Sequence, residues 1–169
     1  MKLHVRDKLM CKEKVYTFEE MLDKKGYLVY KNIGSSMMPL LRQHKDIFEI
    51  QKKEPGRCKK YDVVLYKRGE KYILHRILRV LPDGYLIAGD HNTFVERDVT
   101  DKMILGVMTR VIRGGKSITM DSLPYRLYTH LWCDCYTVRM FLLKCKAKAI
   151  KVLRKSAFLR KVYHKIKGA

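Results

Sequence analysis

The sequence predicts a mainly β protein of the α+β class, in which a coiled, barrel-like antiparallel sheet is followed by a basic helical extension. Several short stretches rich in Val, Ile, Leu and Tyr follow one another between residues 27 and 113, and such residues favour strands. Turns rich in Gly and Pro separate them. After Pro124 the apolar residues recur at helical spacing instead. We therefore predict a β-rich domain over residues 1–121 and a basic amphipathic extension over residues 122–169.

The β-rich part is predicted to open with a short helix and continue as strands. The segment Thr17-Phe18-Glu19-Glu20 has the form of a capping box, and Gly26 is typical of a helix end. Gly114-Gly115 predicts a hairpin into a last strand at residues 117–120. The preceding strands are predicted at about residues 27–33, 46–51, 61–67, 71–81, 85–88 and 103–113.

The C-terminal extension is predicted to be helical from Tyr125 to Lys167. No acidic residue follows Asp134, and apolar residues recur on one stripe. Such a helix either packs on the sheet with a solvated basic face, or contacts an anionic bilayer or an acidic peptide. The residues predicted to make that contact are Lys144, Lys148, Lys151, Arg154 and Lys155.

Net charge and hydropathy bear on whether the protein binds nucleic acid, spans a membrane or is secreted. The formal net charge of +20 would suit nucleic acid. Only about 30 residues precede the predicted sheet, however, and they lack a helix-turn-helix pattern, so nucleic-acid binding is disfavoured. No apolar run reaches the roughly 20 residues of a spanning helix, and the first ten residues lack the apolar core of a signal peptide. We expect a cytoplasmic protein that is peripheral at the inner face of the membrane if its tail binds there.

The cysteines and histidines do not indicate a metal or cofactor. Five cysteines form no paired framework and fit a reducing compartment. His130, Cys133 and Cys135 lie close in sequence, but their spacing is not that of a zinc site. We therefore predict no metal and no cofactor.

A tight turn between two apolar stretches presents a candidate nucleophile, Ser36. A serine hydroxyl is a weak nucleophile at neutral pH and needs a neighbouring base. Glycine eases the turn, a proline directs its exit, and the amide of Ser36 is free to face an oxyanion. Taken alone, such a segment is typical of an ordinary loop. The other residues predicted to form this oxyanion and substrate turn are Gly34, Ser35, Met37 and Pro39.

His75 is the candidate general base. It lies in the stretch Tyr72 to Leu78, which predicts a strand buried on both faces, and the period of two places Ile73, His75 and Ile77 on one face. An isolated histidine in such a strand is commonly a satisfied core residue. With a serine upstream and an acid downstream, the base becomes the favoured interpretation, because the unperturbed pKa of histidine is about 6.5. Lys71 is the alternative base.

Asp90 is the candidate acid that would orient the imidazole. It follows the short strand at residues 85–88, which is predicted to form a hairpin with the His75 strand. A carboxylate there would hold the useful tautomer of the histidine. A Gly-Asp pair is equally typical of a plain Asx turn. The other acids near enough in sequence to take this role are Asp46, Glu96 and Asp98.

These segments together resemble a known family. Residues 36–39, Ser-Met-Met-Pro, resemble the Ser-Met-x-Pro signature of type I signal peptidases and their LexA-like relatives. Residues 74–76, Leu-His-Arg, resemble the base-bearing strand of the histidine branch, found in archaeal and endoplasmic-reticulum signal peptidases. Residues 89–92, Gly-Asp-His-Asn, resemble the Gly-Asp-x-Asn segment of that branch, and residues 104–108, Ile-Leu-Gly-Val-Met, resemble the strand that commonly follows it.

The resemblance implies a signal-peptidase or LexA-like catalytic core. It also implies Ser36 as nucleophile, His75 as base, Asp90 as orienting acid and the Ser36 amide as oxyanion donor. Gly34 stands where some bacterial relatives carry a second oxyanion hydroxyl, and the membrane anchor expected of a signal peptidase is not recognisable. Two hypotheses follow: a serine endopeptidase that cleaves a peptide or protein precursor after small side chains, and a catalytically silent basic binding module on the same fold.

Overall fold

The structure, a computed structural model, describes residues 2–4, 9–11 and 14–155 of the chain. Eleven strands are present in this part, and nine of them form one antiparallel sheet. The strands are β1 (Lys2–His4), β2 (Leu9–Cys11), β3 (Lys14–Tyr16), β4 (Tyr27–Lys31), β5 (Ile47–Lys52), β6 (Val63–Arg68), β7 (Lys71–Leu81), β8 (Gly84–Ala88), β9 (Glu96–Val99), β10 (Ile104–Arg113) and β11 (Lys116–Thr119).

The large sheet has the strand order β4-β5-β10-β6-β7-β8-β9, with β1 also paired to β7 and β11 to β10. β2 and β3 form a separate two-stranded sheet. Each of these pairings is antiparallel. The order has two ends, β4 and β9, so the described sheet is open. The predicted class, mainly antiparallel β with a C-terminal helix, is confirmed.

Helix α1 (Phe18–Lys25) begins and ends where the sequence predicts. The Thr17 side chain accepts a hydrogen bond from the Glu20 amide at 3.2 Å, and the Glu20 carboxylate accepts one from the Thr17 amide at 2.7 Å. Gly26 ends the helix with φ of 75°, a left-handed conformation that glycine adopts without strain. The capping box therefore fixes the start of α1 by reciprocal hydrogen bonds.

The predicted strands between residues 27 and 120 all exist, with ends that differ by two residues or fewer. The hairpin between β7 and β8 is also confirmed, with Arg76 opposite Ala88. Strand β9 was not predicted, because its sequence Glu-Arg-Asp-Val is too charged to signal a strand. It nevertheless pairs with β8, and it carries Glu96 to the edge of the sheet.

Strand β7 crosses the centre of the sheet and carries the candidate base. Its first half pairs with β6, where His75 lies opposite Val64, and its second half pairs with β8. Residues 72–77 are all buried, as predicted for a strand covered on both faces. Ile73 and Ile77 belong to one apolar core, whereas Tyr72 and Leu74 belong to the other. The period of two thus places His75 on the Ile73 face.

The C-terminal segment forms α2 (Leu123–Thr129), a π-helical turn (His130–Asp134) and α3 (Tyr136–Lys155). Residues 156–169, where the predicted helix would continue, lie outside the described part of the chain, as do the side chains of Arg154 and Lys155. None of the helices described is both long and apolar enough to cross a membrane.

Asp46 anchors the loop that follows β4. Its buried carboxylate accepts hydrogen bonds from the Arg42 side chain and amide and from the Arg113 guanidinium, at 2.6 to 3.1 Å. Burial by itself would raise the pKa of Asp46, but the hydrogen bonds from Arg113 and Arg42 outweigh it and lower the pKa to about 2. Asp46 therefore fixes the geometry of this loop. The sequence offered it as an alternative orienting acid for His75, but its carboxylate binds Arg42 and Arg113 instead.

Replacing Asp46 with Asn should destabilise the fold in a pH-dependent way. At pH 7 the ionised carboxylate contributes about 2 kcal/mol, because its folded pKa lies below the unfolded value of about 3.9. This contribution is complete above the unfolded pKa and disappears as the pH falls through the folded pKa near 2. Urea unfolding at several pH values should show a gap between Asp46→Asn and the unchanged protein that narrows below about pH 4.

Asp23→Asn is the control, because Asp23 forms an exposed ion pair with Lys52. Its unfolding free energy should stay close to that of the unchanged protein. If Asp46→Asn and the unchanged protein have the same unfolding free energy at pH 7, the role assigned to Asp46 is wrong.

Candidate active site

The turn that carries Ser36 is held from both sides. The Met38 amide donates to the Ser35 carbonyl at 3.1 Å, which closes the turn, and Met37 is fully buried in the core. Buried Asn32 donates through its side chain to the Gly34 carbonyl at 2.8 Å. These contacts place half-buried Ser36 in the lining of a groove, while its neighbour Met37 points into the protein.

Ser36 and His75 line the same open groove, which has a volume of about 420 Å³. We call it the Ser36–His75 groove. The Ser36 Oγ is buried at its floor and has no hydrogen-bond partner among the described residues. The Ser36 amide likewise donates to none of them. The lining residues are Gly34, Ser35, Ser36, Gln43, His75, Asn92 and Phe94.

The turn at residues 89–92 packs directly on the Ser36 turn. The His91 amide donates to the Ser36 carbonyl at 2.7 Å, and the Asn92 amide donates to the Gly89 carbonyl at 3.0 Å. A Cβ atom at residue 89 would lie 2.7 Å from the Ser36 carbonyl oxygen. Only glycine allows this close approach, so the Gly-Asp-His-Asn segment fixes the Ser36 turn through its backbone.

His75 has polar partners on both ring nitrogens. Its Nδ1 lies 3.3 Å from the Tyr66 hydroxyl and 3.5 Å from Glu96 Oε1. The Tyr66 hydroxyl donates to Glu96 Oε2 at 2.6 Å. On the groove side, the Asn92 amide nitrogen lies 3.3 Å from His75 Nε2. The imidazole is therefore fixed between an acidic side and the groove.

These contacts favour one tautomer of His75. The ionised Glu96 carboxylate can only accept, which favours a proton on His75 Nδ1 and leaves Nε2 as an acceptor for the Asn92 side-chain amide. The proton then resides on Nδ1, facing the carboxylate of Glu96. A histidine that serves as general base toward the groove needs this arrangement.

The charges around His75 favour a neutral imidazole beside an ionised carboxylate. Burial lowers the pKa of His75, and the hydrogen bond with Glu96 only partly counteracts it. Burial would raise the pKa of Glu96, but hydrogen bonds from His75 and Tyr66 and the charge of Arg68 lower it to about 2. At neutral pH His75 is thus uncharged and able to accept a proton, and an ionised carboxylate lies beside its Nδ1.

The structure corrects the predicted role of Asp90. Its carboxylate oxygens accept from Arg76 Nε at 2.8 Å and from Arg76 Nη2 at 2.7 Å, and one also accepts from the Tyr128 hydroxyl at 2.8 Å. Arg76 follows His75 on β7 and therefore faces the opposite side of the sheet. Glu96, which the sequence offered as an alternative, is the acid that lies at His75 Nδ1.

Residues of the C-terminal segment reach the 89–92 turn. The Trp132 indole donates to the Asp90 carbonyl at 2.9 Å, and Arg139 Nη2 donates to the Asn92 carbonyl at 3.4 Å. The Tyr125 hydroxyl accepts from Arg76 Nη1 at 2.6 Å. These contacts cross the predicted domain boundary at residue 122. Sequence reasoning missed them, and the only signal was the density of aromatic residues between Tyr125 and Trp132.

The remaining candidates lie elsewhere. Asp98 is exposed and pairs with Arg68 at 3.2 Å. Lys71, the alternative base, is exposed at the start of β7. Pro39, which follows a cis peptide bond, lines a different cavity with Tyr125. None of the three lines the Ser36–His75 groove.

His130, Cys133 and Cys135, which the sequence analysis considered as metal ligands, lie in different environments. His130 pairs with Asp134 at 2.9 Å. Cys133 is buried, which raises the pKa of its thiol to about 11, whereas Cys135 is exposed. Within residues 2–4, 9–11 and 14–155, no group of three or more His, Cys, Asp or Glu side chains is arranged to hold a metal ion.

Comparison of the chain with protein-family models, with curated proteins and with solved structures finds no match. The chemistry of the groove must therefore be argued from its own residues.

The contacts of His75 predict how its pKa responds to two substitutions. Glu96→Gln removes a negative charge that stabilises the imidazolium, so the pKa of His75 should fall further below about 6.5. Asn92→Asp places a carboxylate beside Nε2, so the pKa should rise. Titration of the His75 ring by NMR, with His75→Gln to assign the signal, measures both shifts.

Asp98→Asn is the matched control, since it removes an acid from the same strand as Glu96 but at an exposed position. Screening by water should leave its effect on the His75 pKa small. A larger shift with Asp98→Asn than with Glu96→Gln would rule out Glu96 as the acid that acts on His75.

Proposed function

We propose that this protein is a serine endopeptidase that cleaves a peptide or protein precursor through an acyl-enzyme, with Ser36 as nucleophile and His75 as general base. One observation carries the proposal: Ser36, whose hydroxyl has no hydrogen-bond partner among the described residues, lines the same groove as a histidine whose Nδ1 faces an ionised glutamate and whose Nε2 is met in that groove by the Asn92 amide. A nucleophile, a base and an orienting acid of this kind recur on unrelated folds.

In the first chemical step Ser36 Oγ attacks the scissile carbonyl carbon while its proton moves to His75 Nε2. The new C–O bond produces a tetrahedral oxyanion, toward which the free Ser36 amide is the candidate donor. His75 then gives the proton to the departing amine as the C–N bond breaks. A water molecule, deprotonated by His75, hydrolyses the Ser36 ester and restores the enzyme.

Glu96 supports this cycle without changing its own protonation state. Its carboxylate, held by Tyr66 and by Arg68 at 2.9 Å, stabilises the imidazolium that forms when His75 accepts the serine proton. Tyr66 keeps its own proton, because burial and the hydrogen bond to Glu96 raise its pKa. Glu96 therefore takes the part that the sequence assigned to Asp90.

In the absence of substrate, Asn92 occupies the position at His75 Nε2 that the serine proton would need. Its side chain lies at His75 Nε2, and the Ser36 hydroxyl is not hydrogen-bonded to the imidazole. A substrate entering the groove must move the Asn92 amide before His75 accepts the serine proton. Catalytic hydrogen bonds commonly tighten only when substrate is bound.

The fold-level proposal is that the open antiparallel sheet is a catalytic core of the signal-peptidase and LexA-like kind. The order of the three motifs, Ser36 turn, His75 strand and Gly89–Asn92 turn, supports it, as does their meeting at one groove. From the same resemblance we infer cleavage after small side chains. An exposed phenylalanine, Phe94, stands at the groove rim, where an extended peptide would pack.

A silent binding module is the second candidate, and the Asn92 amide at His75 Nε2 favours it. A binding protein would tolerate loss of the Ser36 hydroxyl, whereas an endopeptidase would not. Kinetics of peptide cleavage therefore separate the two candidates.

Ser36→Ala and His75→Ala should each lower kcat/KM for a cleaved peptide by roughly a thousandfold or more, and the double variant should lose little beyond either single change. The reason is that the two residues act as one unit, so removal of either abolishes the same step. Peptide libraries followed by mass spectrometry would first supply the cleaved sequence.

Ser35→Ala is the matched control, because Ser35 is the exposed neighbour of the candidate nucleophile and lines the same groove. Its activity should stay near that of the unchanged protein. Losses in the double variant that multiply those of the two single variants would refute the pairing of Ser36 with His75, and cleavage by Ser36→Ala at an undiminished rate would refute the peptidase.

A further inference from the structure

Helix α3 presents a row of apolar side chains to water on a side that lies roughly 120° around the helix from its buried residues. Arg139 and Leu143 face the protein and are buried. Val138, Phe141 and Leu142 are 59%, 66% and 54% exposed. Cys145 and Ala149, which are also exposed, continue the same face. We call this set of five exposed residues the α3 stripe.

The spacing of the α3 stripe makes it continuous. Its members follow Val138 by three, four, seven and eleven residues, which is the recurrence of one helical face. Scattered exposed apolar residues are ordinary, but a contiguous row of them marks a surface that contacts another phase or molecule. The α3 stripe is therefore not part of the core, and it is a candidate contact surface.

Lysines border the α3 stripe along both of its edges. With about 100° of rotation per residue, Lys146 lies on one edge. Three lysines lie on the other, and all four are exposed. No acidic residue occurs after Asp134 in the chain. The three lysines on the second edge are Lys144, Lys148 and Lys151.

An apolar face bordered by lysines matches an anionic lipid surface. Such a helix lies in the plane of the interface, with its apolar side chains among the acyl chains and its lysines at the headgroups. A second copy of the chain is a poor occupant, because a symmetric contact would bring the two lysine borders together. Nucleic acid would satisfy the lysines but would leave Phe141 and Leu142 in water.

We propose that the α3 stripe docks this protein on an anionic lipid bilayer, with Phe141 and Leu142 inserted and the bordering lysines on the headgroups. α2 and the π turn expose three more leucines at four-residue spacing, which adds apolar surface on the preceding helical segment: Leu123, Leu127 and Leu131, at 68%, 56% and 70%. The docking does not rest on peptidase activity.

A docked α3 would hold the Ser36–His75 groove near the bilayer. Arg139, on the buried face of α3, donates to the Asn92 carbonyl at 3.4 Å, and Asn92 lines the groove. The helix and the groove are thus joined through one side chain. A precursor segment that emerges from the bilayer surface would be presented to the groove at short range.

Vesicle flotation of the full chain tests the proposal directly. The protein should float with phosphatidylcholine vesicles that contain roughly 30% phosphatidylglycerol, and not with phosphatidylcholine alone. The double change Phe141→Ser and Leu142→Ser should weaken binding by about tenfold or more, because the inserted apolar area is lost. The double change Lys144→Gln and Lys148→Gln should weaken it as well, and salt should mimic this effect.

Matched control variants test whether vesicle binding is specific to the α3 stripe or comes from any exposed apolar residue or lysine. Tyr27→Ser with Val29→Ser removes two exposed apolar side chains on β4, and Lys31→Gln with Lys45→Gln removes two exposed lysines elsewhere. Both control variants should bind the anionic vesicles like the unchanged protein. Equal loss in the controls and in the α3 variants would overturn the assignment of the surface.

Two further outcomes would also overturn the proposal. Unchanged vesicle binding by the Phe141→Ser, Leu142→Ser variant would show attraction by charge alone. A concentration-dependent dimer that is abolished by the same variant, without vesicle binding by the unchanged protein, would make a second copy the occupant. Circular dichroism of each variant checks that the fold is retained, and cleavage of a short soluble peptide is recorded separately from binding.

Discussion

The buried ion pair between Arg76 and Asp90 connects the sheet, the 89–92 turn and the C-terminal helices. Both side chains are fully buried, which is costly unless every polar atom is satisfied. Arg76 meets that requirement by donating also to the Tyr61 carbonyl and the Tyr125 hydroxyl, while Asp90 accepts from Tyr128. Removing either charge would leave the other unpaired in the core, so the pair ties the 89–92 turn to β7 and to α2.

The position of the candidate catalytic residues depends on that turn. Its His91 amide holds the Ser36 carbonyl, and its Asn92 side chain meets His75 Nε2. Glu96 approaches the other ring nitrogen from β9. The electrostatic state of His75 is thus set by the 89–92 turn and by β9, which begins four residues after Asn92. Asp90 acts through the backbone that it positions.

Local sequence patterns predicted the helices and strands. The side-chain partners of Asp90 and His75 depend instead on how distant strands pair. The Thr17 capping box, the doubly buried His75 strand and the Ser36 turn each follow from a few adjacent residues. The partner of Asp90 does not, because alternation along β7 puts His75 and Arg76 on opposite faces, and sequence alone does not tell which face the following turn approaches. The position of Glu96 could not be predicted either, because the charged sequence of β9 does not indicate a strand or the face on which Glu96 lies.

The central claim is that His75 activates Ser36 as a nucleophile. Intact-protein and peptide mass spectrometry after treatment with a serine-directed phosphonate ester tests it most directly, because the reagent needs an activated hydroxyl and no knowledge of the substrate. We expect one adduct, on Ser36, that is kept in Ser35→Ala and is lost or greatly slowed in His75→Ala. An adduct that forms at the same rate without His75, or that maps to Ser35, would contradict the claim.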